Sequence, residues 1–98
     1  MKLNMRDLLP KLREIGFGTW DPLGLAEAWA DGEPMADEYD AYLQRAFGVA
    51  VNGGGIAAVC EVLHAAEVRM GLAYGGTAAL RVQAATEILA LASRACSE

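Results

Sequence analysis

Apolar residues recur along this chain at the three- and four-residue spacing of helices rather than in the alternation of strands. Met5, Leu8, Leu9, Leu12 and Ile15 fall on one face of a segment over about residues 4–15, which Gly16 and Gly18 are expected to end. Pro10 lies inside it and should kink the helix or mark the first turn of a shorter one. Tyr39, Leu43, Ala46, Phe47 and Ala50 supply the stripe of a second helix, broken at Asn52-Gly53-Gly54-Gly55. Ile56, Val59, Cys60, Leu63, Ala66 and Met70 mark a third over about residues 56–70. Thr77 is expected to cap a fourth that runs to about residue 95, with Leu80, Ala84, Ile88, Leu91 and Ala95 on one face. A second stripe of Val82, Ala85, Leu89, Ala92 and Cys96 makes this helix apolar over much of its girth. Such a helix is central to a bundle or covers a dimer interface. Short loops join antiparallel neighbours, so the pattern predicts an all-α fold: a compact bundle of about four helices. Residues 1–98 should form one domain.

The segment between the first two long helices is patterned differently. Asp21-Pro22 resembles an N-cap followed by Pro at the first helical position, where its missing N–H costs nothing. A short helix or turn through Trp29 should follow, then a loop at Asp31-Gly32-Glu33-Pro34. Asp37 is expected to cap the second long helix, with Asp40 three residues on in a capping-box arrangement. A rival reading makes Val49 to Ile56 a β-hairpin around Asn52-Gly53, but the flanks are rich in Ala, a poor strand former.

Composition favours helices further. Of the 54% hydrophobic residues many are Ala, which adds little volume but is the best helix former. No apolar run approaches the about 18 residues of a membrane span. The N-terminal residues carry no secretory pattern, and Cys60 and Cys96 lack metal spacing. The two cysteines read as reduced small hydrophobes, and the expected location is the cytoplasm.

Charge changes the picture more. No Lys or Arg occurs between Arg13 and Arg45, and that gap holds eight of the thirteen acids: Glu14, Asp21, Glu27, Asp31, Glu33, Asp37, Glu38 and Asp40. Trp20, Trp29, Tyr39 and Tyr42 interrupt the run, unlike a featureless acidic tail. The net charge of −5 argues against nucleic acid and against anionic membranes as partners. A basic protein is the natural partner for such a field. Two uses of the acids compete. Asp21, Asp37 and Asp40 can cap helices while the rings pack and hydrogen bond to nearby carboxylates. Glu27, Asp31, Glu33 and Glu38 are then left to face a partner.

Catalytic chemistry is sparse. The glycines at 53–55 and 75–76 lack the Gly-Lys-Ser/Thr of a phosphate loop and read as turns. His64, the only histidine, is flanked at three residues by Glu61 and Glu67, but no nucleophile is placed beside it. A carboxylate-metal site at Asp37 and Asp40, with Asp21, Glu33 or His64, lacks the spacing of a calcium loop. No cofactor, no metal site and no enzymatic activity is expected.

Trp20-Asp21-Pro22-Leu23-Gly24, followed by Asp37-Glu38-Tyr39-Asp40, resembles a group of small bacterial helical domains of unknown function. The similarity runs from Phe17 through Met70-Gly71-Leu72 into a closing helix that contains Arg81. The resemblance implies a compact all-α domain without established catalysis. Some similar proteins lie in bacterial toxin neighbourhoods, where an immunity role has been proposed. The Ala-rich tail, the triple glycine and Pro10 depart from the pattern. The resulting expectation is a non-catalytic interaction module, an immunity protein that covers a basic toxin with its acidic face. The alternative is a structural or regulatory homo-oligomer, such as a homodimer, associating through helix four.

Overall fold

The computed structural model describes residues 5–21, 39–69, 71 and 78–96. They form an all-α bundle of four helices: α1 (Met5–Ile15), α2 (Asp40–Val51), α3 (Ile56–Arg69) and α4 (Ala78–Cys96). Among the described residues there is no strand, so the rival hairpin at 49–56 is instead the end of α2, a tight turn and the start of α3. Gly53 sits in that turn at φ +92°, where a side chain would be strained. Gly54 packs closely too, since a Cβ there would lie 2.8 Å from the Val49 carbonyl oxygen.

Gly16 and Gly18 do not end the first helix as expected. The chain widens instead into a π turn over Gly16–Trp20, closed by the Asp21 N–H donating to the Gly16 carbonyl at 2.6 Å. Gly16 permits this because α2 presses against it: a Cβ there would meet Leu43 Cδ1 at 2.7 Å. The extra residue in the turn swings Phe17 and Trp20 inward, and both are buried. Asp21 then leaves the turn in the left-handed region at φ +32°.

The helical stripes converge on one core cluster. Leu8, Leu12 and Ile15 come from α1, Leu43, Ala46 and Phe47 from α2, and Val59, Leu63 and Ala66 from α3. α4 contributes Ala84, Ala85, Ile88, Leu91 and Ala92, drawn from both of its apolar stripes. It packs on α1, the π turn, α2 and α3, which explains an all-round apolar helix inside one chain. The stripes are not buried to their ends. Ile56 on α3, and Leu80 and Val82 on α4, are exposed, while Cys60 is half-buried. Met70 and the Thr77 cap lie outside the described residues, as does the side chain of Cys96.

Candidate functional site

The acidic gap begins and ends on a linked set of side chains. Tyr39 is fully buried, and its ring sits between Phe17, at 4.8 Å between centroids, and Trp20, at 5.3 Å. Both ring pairs are tilted, the arrangement that aromatic quadrupoles favour. The Tyr39 hydroxyl donates to Asp21 Oδ1 at 3.0 Å. Residues 21 and 39, which flank residues 22–38 in the sequence, are thus tied to each other. The intervening residues 22–38 hold five of the thirteen acids and no Lys or Arg.

A charge pair holds Asp40, next to Tyr39. Arg13 of α1 donates through Nε to Asp40 Oδ1 at 3.0 Å and through Nη2 to Oδ2 at 2.7 Å. Both partners are largely shielded from water. The expected capping box is therefore not formed by Asp40. Tyr39 occupies the N-cap position without a side-chain cap bond, and α2 starts at Asp40 itself. A two-bond ionic contact from a neighbouring helix outweighs a local cap, because both carboxylate oxygens find a fixed guanidinium fork. Asp21 ends the π turn and accepts from Tyr39; the helix it was expected to cap lies outside the described residues.

A second charge cluster holds Trp20, next to Asp21, and the sequence reading missed its centre. Glu67 was read as a flanking neighbour of His64 on one helix surface. It is instead fully buried, while His64 and Glu61 are exposed. Glu67 Oε2 accepts from Trp20 Nε1 at 2.8 Å and from Arg81 Nε at 3.0 Å, and Oε1 accepts from Arg81 Nη2 at 2.6 Å. One carboxylate therefore joins the π turn, α3 and α4. The Arg81 guanidinium is held above its ordinary pKa, first by its hydrogen bonds to Glu67; burial opposes this, and attraction to Glu67 and Cys60 adds to it. Among the described residues no buried side-chain nitrogen or oxygen lacks a partner, so the polar core is satisfied.

A signal for this cluster was present. Val59, Leu63, Ala66 and Glu67 share one helical face, as do Arg81, Ala84, Ala85 and Ile88. Opposite charges on the inward faces of two helices mark a paired buried ion, since Glu and Arg are rarely buried otherwise.

Of the other residues singled out, Tyr42 is half-buried against the core. Pro22, Glu27, Trp29, Asp31, Glu33, Asp37 and Glu38 lie outside the described residues. Both oxygens of Asp40 are engaged by Arg13, which competes with the carboxylate-metal grouping. No group of three metal-ligating side chains occurs among the described residues. Among them, too, no helix is long and apolar enough to cross a membrane. No protein family matches the chain, and neither does any curated protein or solved structure.

Proposed function

We propose that this protein is a non-catalytic interaction module in which the acidic segment 22–38 meets a basic protein partner, as an immunity protein would cover a basic toxin. The observation that carries the reading is the pinned pair of ends. Residues 21 and 39 are bonded to each other, and each is packed or bonded to a buried cluster. Fixed ends restrict where a segment can meet a partner, which lowers the entropic cost of association relative to a free tail. Glu27, Asp31, Glu33 and Glu38 supply like charge without a Lys or Arg among them, and such a field speeds encounter with a basic surface. Arg13, paired with Asp40 beside Tyr39, and Arg81, paired with the Glu67 that also holds Trp20, are each engaged by a carboxylate.

The test is capture of partners from the native cell lysate at low and at high salt, with wild-type protein and with a variant carrying Lys at 27, 31, 33 and 38. A basic protein held by the wild type at low salt, shed at high salt and absent from the variant supports the reading. Equal capture by both proteins refutes the acidic face.

The exposed apolar residues favour a second reading, a homodimer. Val68 is 51% exposed, and Leu80 and Val82 are 42% and 49% exposed. Ile88 and Leu91 cannot serve that interface, because they are in the core. A dimer by light scattering that dissociates on Val82→Asp supports it; a monomer at micromolar concentration rules it out.

A further inference from the structure

The outward face of α3 carries a pattern of its own. Ile56, Cys60, His64 and Val68 recur every four residues, so they form one ridge along the helix. The inward face, with Val59, Leu63, Ala66 and Glu67, is buried in the bundle. On the ridge Cys60 is half-buried and His64 exposed, while the ends, Ile56 and Val68, are 43% and 51% exposed. The adjoining row includes Ala57 and Ala65, both exposed and too small to hold a neighbouring helix away.

A thiol and an imidazole one turn apart make a chelating pair. Side chains at this spacing have Cβ atoms about 5–6 Å apart. Zinc holds sulfur at about 2.3 Å and imidazole nitrogen at about 2.0–2.1 Å, so its tetrahedral ligands lie about 3.5 Å from each other. Side chains leaning together close that difference, as the two histidines of a His-Glu-x-x-His helix do on one zinc. Arg81 interacts electrostatically with Cys60, but its charge is matched by Glu67 and so is not left unpaired beside a metal. Cys60 and His64 thus supply two of the four ligands of a structural zinc site. No group of three ligands is complete among the described residues.

A second copy of the chain supplies the missing half. The ridge reads apolar, Cys, His, apolar, so a twofold axis at its centre maps it onto itself. Ile56 then meets the second copy's Val68, and Cys60 lies beside the second copy's His64. Two thiolates and two imidazoles surround one point, a ligand set that structural zinc favours, and the thiolates neutralise the metal's two charges.

We propose that the outward face of α3 forms a zinc-bridged homodimer, with Cys60 and His64 of each copy holding one Zn²⁺ and the apolar ends packing around it. No residue of segment 22–38 takes part, so failure of this site leaves the acidic-segment reading untouched.

The test is light scattering on the untagged full chain, kept reduced, in chelator and then with zinc chloride, followed by metal analysis of the dimer. A monomer in chelator and a dimer holding one zinc per two chains are expected. Cys60→Ser and His64→Ala, each checked for fold by circular dichroism, should abolish the zinc-dependent dimer. Cobalt in place of zinc gives the wild type a readout that needs no variant: intense visible bands of a tetrahedral site with thiolate charge transfer are expected. Absence of those bands, a chain that stays monomeric with zinc, or one zinc per chain overturns the proposal. A dimer that forms in chelator and survives both substitutions belongs to the apolar reading above and overturns it as well.

Discussion

Replacing Glu67 by Ala strikes a buried carboxylate that joins three elements of the bundle. The change leaves the Trp20 N–H buried without its acceptor, a cost of about 1–3 kcal/mol. It also leaves Arg81, whose side chain is 16% exposed, without its buried counter-ion. Removing one partner of a buried pair costs about 3–5 kcal/mol in total, and Arg81 can recover part of this by turning toward solvent. The expected loss is therefore about 3–4 kcal/mol, a large share of the about 5–15 kcal/mol available to a domain. Urea unfolding followed by circular dichroism measures it. With a slope of about 2 kcal/mol/M, the midpoint should fall by about 1.5–2 M. The same reasoning makes a contrary-looking prediction for the triple variant Trp20→Phe, Glu67→Met and Arg81→Met. It removes every polar group of the cluster together, so it should lie within about 2 kcal/mol of wild type. A loss under about 1 kcal/mol for Glu67→Ala would refute the argument. So would a triple variant less stable than Glu67→Ala.

Three further outcomes follow from the geometry. Gly16→Ala should destabilise by about 1–2 kcal/mol in the same urea assay, because its Cβ meets the fully buried Leu43; Gly18→Ala, with open space around it, should not. Arg13→Lys should cost about 1 kcal/mol, because an ammonium cannot reproduce the two-bond contact with Asp40, and a wild-type midpoint would show that contact to be idle. The Glu67–Arg81 pairing should persist into strong alkali. A guanidinium whose pKa is raised on folding contributes stability below its unfolded value and loses it only as pH rises through the folded one. The Glu67→Ala penalty should thus be the same at pH 7 and pH 10, and a penalty that fades by pH 10 would contradict this.

Much of the fold was legible because burial and helical period coincide. Leu8, Leu12 and Ile15 sit inside α1 where their spacing placed them, and Leu43, Ala46 and Phe47 do the same in α2. The reading failed where a long-range partner overrode a local preference. Asp40 looked like part of a cap, which is a contact within one turn, but Arg13 lies 27 residues away in sequence. Glu67 was read only against His64 on its own helix, whereas its partners come from the π turn and α4.

The sequence by itself determined the helical class, the stripes that form the core and the concentration of acids between Arg13 and Arg45. These depend on residue type and spacing, which act over one or two turns of chain. Only the tertiary structure decided that the first helix widens into a π turn rather than ending, because that depends on Leu43 pressing against Gly16. Only it decided that both apolar stripes of α4 are used inside the bundle, and that one buried carboxylate ties Trp20 to Arg81. The physical reason is shared: each outcome is a contact between elements distant in sequence, and its energy exists only once those elements have packed.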